Sequence, residues 1–222
     1  MRQFDDLTYV HSVNVALIAS ILGQWLKFSE KDIRILTISG LLHDIGKIMI
    51  PNEILTKPGK LTVAEYNIMK QHVNFGYEKV KNQNIDIRIK EACLLHHEKC
   101  DGTGYPFGLK SDQIPAVAKI IAIADVYDAM TSARVYRGAL CPFEVIDTMY
   151  KDAFTKFEPE YILPFLKNVA SSYINNDVRL SDGRIGKVVL INENALSLPI
   201  VQCEDEFIDL SKTRGLTVSA IL

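Results

Sequence analysis

Histidines and aspartates lie close together at two points in this sequence. The chain has only five histidines, and His43 is followed at once by Asp44. The pair His96-His97 opens an eleven-residue run that contains two acids and ends in Gly104-Tyr105-Pro106. Neutral imidazole and carboxylate together are ligands that suit iron, manganese or zinc. We therefore interpret these positions as parts of a multi-metal hydrolytic centre.

Seven side chains form the candidate ligand set: His11, His43, Asp44, His72, His96, His97 and Asp125. This is too many for one ion, but it suits two octahedral ions if a carboxylate bridges them. With Asp44 as the bridge, one ion takes His11, His43 and Asp125, and the other takes His72, His96 and His97. A hydroxide between ions ~3.5–4 Å apart is a nucleophile for in-line attack on phosphorus, because the ions lower the pKa of bound water and neutralise the phosphate.

Further candidates surround this set. Lys47 lies one turn beyond His43 and is suited to binding a phosphate oxygen, whereas Arg134 and Arg137 can each hold a phosphate through two hydrogen bonds. Asp128 follows Asp125 by one helical turn. It is either an orienting partner of a ligand or a proton donor to the leaving alkoxide. In the glycine-rich loop, Gly104, Tyr105 and Pro106 are candidate substrate-binding residues. Tyr105 either stacks on a base or anchors the loop by packing.

Each candidate also has an ordinary explanation. A single histidine is more often a surface or core residue than a ligand, and Asp125 and Asp128 fit a solvated helix face. His96-His97 fits the C-terminus of a helix, where positive charge is favourable. Together, however, these explanations require every histidine of the chain to lie in such a setting by chance.

Helical periodicity predicts the elements that position these residues. Helices are expected over residues 9–27, from Ser29 to His43-Asp44, from a capping box at Thr62–Glu65 through Met69, His72 and Gly76, and over 85–98, 116–130, 142–150 and 159–173. Residues 51–61 and 101–110 are expected to be loops. The prediction is a mainly α bundle with its ligands on helices or at their ends.

The pattern changes near residue 175. Asp182-Gly183 is a hairpin-turn signal, and short β-like runs follow it. We expect a helical domain over residues 1–174 and a small antiparallel β-rich subdomain over 175–222. So short a sheet is marginal alone and should pack on the helices.

Composition excludes several classes of protein. The net charge of −2 provides no basic field for a nucleic-acid polymer, and no apolar run is long enough to span a bilayer. The four cysteines form no Cys-x-x-Cys pair, so reduced thiols and a cytoplasmic location are expected. The sequence is compatible with a longer protein that has a further domain before this segment.

With these residues laid out, the chain resembles the HD-GYP family, a branch of the HD metal-dependent phosphohydrolases, over most of residues 9–165. His43 to Lys47 is similar to the family's HD-x-GK signature, and the run His96 to Pro106 to its HHE-x-x-DG-x-GYP signature. Residues 125–132 resemble its later aspartate helix. The resemblance implies an all-α bundle with two or three metal ions, often iron or manganese. It also implies phosphodiesterase activity on cyclic di-GMP, giving pGpG and in some members GMP.

One departure from the family pattern bears on the metal count. Members with three ions have a glutamate one helical turn before the first ligand histidine, where this chain has Leu7. The resemblance therefore implies two ions rather than three and pGpG as the product, with onward hydrolysis to GMP as the alternative. Alternatives are another cyclic dinucleotide or a nucleotide as substrate, or a non-catalytic module that binds cyclic di-GMP or docks a diguanylate cyclase. An upstream sensory domain and a homodimer are further expectations.

Overall fold

The structure, a computed structural model, describes residues 2–132 and 138–222, and the side chains of these ranges from residue 8 onward. Its described part is mainly helical, as the sequence predicts. Nine α-helices occur there: α1 Arg2–Trp25, α2 Glu30–Leu42, α3 Asn52–Leu55, α4 Val63–Met69, α5 His72–Val80, α6 Ile87–Leu95, α7 Ala116–Thr131, α8 Pro142–Asp152 and α9 Pro159–Ser172. Two 3₁₀ turns, Ile45–Met49 and Ser111–Gln113, lie between them.

Helix starts follow the capping signals of the sequence. The Ser29 side chain accepts a hydrogen bond from the backbone N–H of Asp32 at the start of α2. Thr62 and Glu65 form the reciprocal hydrogen bonds of a capping box at the start of α4. These bonds satisfy N–H groups that have no partner within the helix. The first helix, in contrast, begins at Arg2 rather than at residue 9.

The single helix expected through Met69, His72 and Gly76 is wrong, because α4 ends at Met69 and α5 begins at His72. The turn between them lets α5 pack backbone against backbone on the first 3₁₀ turn. A Cβ atom on Gly46 would lie 2.9 Å from the Cα atom of Gly76 and still closer to the carbonyl oxygen of His72. Such a contact needs glycine, and its consequence is a fixed position for the chain around Asp44.

Two other boundaries differ from expectation. The helix predicted over residues 85–98 is shorter, because Asp86 caps its start by accepting from the backbone N–H of Arg88 and His96 caps its end. The predicted loop over residues 51–61 contains the short helix α3.

Helix α7 lies at the centre of the bundle and contacts α1, α2, α6 and α8. Ile120, Ile121 and Ile123 are fully buried, and they point to different sides of the helix. A helix that is apolar all round is typical of a position enclosed by other helices. Asp125 and Asp128 near its C-terminal end are therefore carried into the interior, where both are buried.

The C-terminal segment is a five-stranded antiparallel sheet in the order β4-β3-β2-β1-β5. Its strands are β1 Asp177–Leu180, β2 Ile185–Leu190, β3 Ile200–Cys203, β4 Glu206–Asp209 and β5 Val218–Ile221. The predicted Asp182-Gly183 turn joins β1 to β2. Val178, Val188 and Val201 are buried on one face, in the same apolar cluster as residues of α8 and α9. The sheet thus packs on the helices as expected, while an independent domain over 175–222 stays a prediction.

Candidate metal centre

Two clusters of imidazole and carboxylate groups lie side by side within the bundle. In the first, ligand atoms of Asp44, His72, His96 and His97 all lie within 4.8 Å of one another. In the second, the same holds for His11, His43 and Asp125. The structure therefore brings together all seven candidate ligands, in the same two groups as the sequence predicts.

Asp44 lies at the junction of the two clusters. Its Oδ1 atom is 3.3 Å from Nε2 of His72 and 3.9 Å from Nε2 of His96. Its Oδ2 atom is 3.2 Å from Nε2 of His43 and 3.7 Å from Nε2 of His11. Each carboxylate oxygen thus faces a different cluster, which is the arrangement that a bridging ligand requires.

Hydrogen bonds fix which nitrogen of four histidines faces the centre. The Nδ1 atoms of His43, His72 and His96 lie 2.7–2.9 Å from the backbone carbonyl oxygens of Gly40, Met69 and Ala92 respectively. A carbonyl oxygen only accepts, so each Nδ1 carries the hydrogen and each Nε2 presents a free lone pair. The His11 ring is held likewise, with Nδ1 2.6 Å from Oδ2 of Asp128. Metal-ligating histidines are oriented in this way.

Three buried atoms of the centre have no hydrogen-bond partner among the described residues: Nε2 of His11, Nε2 of His43 and Oδ1 of Asp44. Unpaired buried polar atoms are costly, so a native structure rarely retains them without a reason. All three are electron-pair donors that face the same space. The donor set therefore fits divalent cations.

The electrostatics favour the protonation states that cations need. Burial lowers the pKa of His72 and His96, and lowers that of His97 to about 3, so these rings are neutral. Burial opposes ionisation of Asp44, but Lys47 and His43 outweigh it and hold the pKa well below its usual range. His11 differs, because the nearby carboxylates of Asp125 and Asp128 overcome the effect of burial and raise its pKa to about 9. A proton and a cation therefore compete for His11.

Asp128 does not face the clusters directly. Its Oδ2 atom accepts from His11, and its Oδ1 atom accepts from Nδ2 of Asn14 and Oγ of Ser132, each at 2.9 Å. Burial opposes its ionised form, but the His11 hydrogen bond lowers its pKa below the usual value. Of the two roles open from the sequence, the structure favours orientation of His11 over proton donation. No motif in the sequence indicates this role for Asn14, which lies three residues after His11.

Lys47 points at the centre, as its position one turn beyond His43 predicts. Its ammonium group forms an ion pair with Oδ2 of Asp44. The side chain is 23% exposed, so the ammonium group remains accessible to a ligand at the mouth of the site.

The loop that follows His96-His97 is fixed by Glu98, whose structural role the sequence motif alone does not indicate. The buried Glu98 carboxylate accepts from the backbone N–H groups of Phe107 at 2.7 Å and Leu109 at 2.9 Å. A Cβ atom on Gly104 would lie 2.5 Å from the backbone nitrogen of Lys99 and 2.6 Å from the carbonyl oxygen of His97. The loop therefore lies flat against the backbone of residues 97–99.

Tyr105 packs inside this loop. Its ring stacks on His97, with centroids 4.7 Å apart and an interplanar angle of 28°. Burial raises the pKa of its hydroxyl group. This contact favours the packing role and places Tyr105, which stands between Gly104 and Pro106 in the chain, at the edge of the first cluster. Binding of substrate by these three residues stays a prediction.

The structure does not describe the side chains of three positions that the sequence analysis discusses. Arg134 and Arg137 fall outside the described residues. Leu7 lies one turn before His11 in the backbone of α1, but its side chain is outside the described part of the chain.

Comparisons with known proteins place these features in context. A sequence model of the HD domain family matches residues 5–161. A cyclic di-GMP phosphodiesterase of Pseudomonas aeruginosa is 37% identical over 203 residues, which cover 91% of this chain and 49% of that protein. A 3′3′-cGAMP-specific phosphodiesterase of Vibrio cholerae is 40% identical over 147 residues, covering 65% of this chain and 33% of that protein. The chain thus spans half or less of the length of these relatives.

A likeness in fold extends to solved structures. A protein of the HDG"Y"P type from Bdellovibrio bacteriovorus superposes with a TM-score of 0.59 at 22% identity, covering 71% of this chain and 50% of that one. Among the described helices, none is both long and apolar enough to cross a membrane.

Proposed function

Because the chain belongs to the HD domain family, we propose that it is a metal-dependent phosphodiesterase that opens cyclic di-GMP to pGpG. The observation that carries the proposal is the carboxylate of Asp44 between two clusters of inward-facing lone pairs. The relatives named above act on cyclic dinucleotides, and the chain shares more than a third of its aligned residues with them.

The donor set suits two divalent ions, with iron or manganese as the proposed identities. His11, His43 and Asp125 would hold one ion, and His72, His96 and His97 the other, with Asp44 shared. Bound ions of this kind lower the pKa of water and neutralise a phosphate group. A two-ion centre and Leu7, in place of the family's glutamate, support a reaction that ends at pGpG.

The remaining side chains would bind and orient the substrate. Lys47 is proposed to exchange part of its ion pair with Asp44 for a phosphate oxygen. Asp128 holds His11 in the tautomer that directs Nε2 inward. The Glu98-anchored loop closes one side of the site and limits access of bulk water. Arg134 and Arg137 are proposed as additional phosphate-binding groups on the grounds of sequence alone.

The experiment is hydrolysis of cyclic di-GMP by protein purified without oxygen and loaded with iron or manganese, with elemental analysis of each sample. We expect pGpG as the product, and loss of both metal and activity in Asp44→Ala. An inactive wild type with a full metal complement would refute the proposal. Full activity of Asp44→Ala would refute the bridging role. Accumulation of GMP from pGpG would refute the proposed end point.

A second candidate substrate is 3′3′-cGAMP, which the Vibrio relative's name favours. Parallel measurements of kcat/KM with cyclic di-GMP, 3′3′-cGAMP and cyclic di-AMP separate the two candidates. Preference for 3′3′-cGAMP would keep the site chemistry and change the substrate. Binding of cyclic di-GMP without turnover by the metal-loaded protein would instead indicate a regulatory module.

A further inference from the structure

A lysine outside the seven-ligand set is held over two aromatic rings beside the centre. The ammonium nitrogen of Lys70 lies 5.3 Å from the ring centroid of Tyr66 and 6.0 Å from that of Tyr105. The two tyrosine rings meet edge to face at 6.4 Å. Lys70 is the residue that follows α4 at its turn into α5, so the change of direction there aims its side chain along the rings. Cation–π contacts of this kind hold an ammonium group in place without neutralising it.

Lys70 forms no ion pair with any carboxylate in the part of the chain that the structure describes. The nearest acid on its own helix, Glu65, is already bound by Lys57, whose ammonium nitrogen lies 2.8 and 2.6 Å from the two carboxylate oxygens. Glu65 also caps the helix at Thr62. Lys47, the other lysine at the centre, is paired with Asp44. Lys70 therefore offers a positioned positive charge that no carboxylate of the described residues pairs with.

This charge lies at the rim of the centre, next to the cluster of His72, His96 and His97. The Tyr105 ring beneath Lys70 is 4.7 Å from the His97 ring and 6.4 Å from the His72 ring. Tyr66 is 47% exposed, so the surface that it forms with Lys70 is open to a ligand. A molecule bound at the cluster and longer than a single phosphate would extend over this surface.

We propose that Lys70, supported by Tyr66, is a positioning residue that binds the second phosphate of a cyclic dinucleotide while the first lies at the metal centre. This inference rests on the proposed function. A cyclic dinucleotide carries two phosphodiesters on one ring, so an enzyme that binds one at its metal centre must also accommodate the charge of the other. An ammonium group already held over aromatic rings loses little conformational freedom when it binds that phosphate.

The test compares two substrates that differ in the number of phosphates. Cyclic di-GMP has two, and bis(p-nitrophenyl) phosphate has one. In metal-loaded Lys70→Ala we expect the KM for cyclic di-GMP to rise about 10- to 100-fold, the range expected for loss of a charge-assisted hydrogen bond. Its kcat should change little, because the second phosphate is bound in the ground state and the transition state alike. Hydrolysis of bis(p-nitrophenyl) phosphate should be unchanged.

Matched variants separate positioning from folding. Lys70→Arg should restore most of the affinity for cyclic di-GMP, and Tyr66→Phe, which keeps the ring, should behave like the wild type. Tyr66→Ala should raise the KM for cyclic di-GMP only. Lys79→Ala is the surface control, since Lys79 is exposed on α5 about two turns beyond His72. Metal content and Tm are measured for every variant.

Each outcome decides the question. A rise in KM confined to cyclic di-GMP and reversed by arginine supports the inference. An unchanged KM, or an equal loss with both substrates, overturns it while leaving the proposed function intact. A wild type that cleaves bis(p-nitrophenyl) phosphate but no cyclic dinucleotide overturns the proposed substrate, and the role of Lys70 with it.

Discussion

Replacement of Asp128 by asparagine tests how the centre is assembled. In the wild type, one carboxylate oxygen accepts from His11 and the other accepts from Asn14 and Ser132. An asparagine has only one oxygen. If that oxygen faces Asn14 and Ser132, its NH₂ group faces the N–H of His11, and two donors meet. If the amide is reversed, its NH₂ group meets the NH₂ group of Asn14 instead.

The His11 ring can relieve the first conflict by moving its hydrogen from Nδ1 to Nε2. That tautomer would place a hydrogen on the atom that lies 3.0 Å from Asp125 and faces the cluster, so His11 would no longer offer a lone pair. The wild-type contact is a hydrogen bond to an ionised carboxylate, which contributes about 1.5–3 kcal/mol. Loss of such an outer hydrogen bond reduces metal affinity or activity about 10- to 100-fold.

The assay is competition for Mn²⁺ between the protein and a fluorescent chelator, run beside hydrolysis of cyclic di-GMP. Ser132→Ala is the matched control, because it removes one donor to Asp128 but leaves the His11 contact. We expect weaker binding of one metal equivalent in Asp128→Asn and nearly normal binding in the control. Unchanged metal affinity in Asp128→Asn would refute the tautomer argument. Normal metal content with a large fall in kcat would favour the proton-donor role instead.

Three further predictions concern the loop and the ions. Gly104→Ala should lower both Tm and kcat/KM, because the added Cβ atom would lie 2.5–2.6 Å from backbone atoms. Gly138→Ala is the control, because the space around Gly138 is open. Equal effects of the two substitutions would contradict the role of Gly104. Glu98→Gln should raise KM and lower the free energy of unfolding by about 1–3 kcal/mol, because the glutamine NH₂ group would face a backbone N–H. Chemical denaturation measures the change. Wild-type stability and KM in this variant would contradict the role of Glu98 in fixing the loop. Removal of metal should lower Tm. When free metal is 1,000 times its Kd, the metal-bound protein should be more stable to unfolding than the metal-free protein by about 4 kcal/mol. A Tm independent of metal would disprove cation binding to the folded state.

The sequence predicts the helical class, the family and the grouping of the seven candidate ligands, and the reasons are local. His43-Asp44 and His96-His97 adjoin the ends of helices whose apolar periodicity is clear, and Asp125 lies on a helix that is apolar all round. Apolar periodicity shows which face of each helix is buried, and so indicates that ligand residues near these helix ends point into the bundle. The spatial grouping in the structure agrees with them, while metal binding itself stays a prediction.

Features that depend on contacts distant in sequence could not be predicted in this way. The break between α4 and α5 accompanies the packing of Gly76 on Gly46, 30 residues earlier in the chain. The role of Glu98 depends on backbone N–H groups up to 11 residues away, which no side-chain pattern reveals. The short strand β4 carries two exposed residues, so its periodicity is weak, and it is defined by pairing with β3.

The backbone contact between Gly46 and Gly76 also explains why the centre divides into two clusters. His11 and Asp125 lie on α1 and α7, and His43 directly follows α2. His72, in contrast, begins α5, and His96-His97 directly follows α6. Asp44 lies at the start of the 3₁₀ turn against which α5 packs, so it is placed between the two groups of helices. The close approach of these two backbones therefore fixes how α5, which carries His72, lies relative to Asp44. Side-chain substitutions at the ligands should remove metal ions, whereas any residue larger than glycine at position 46 should move one cluster relative to the other.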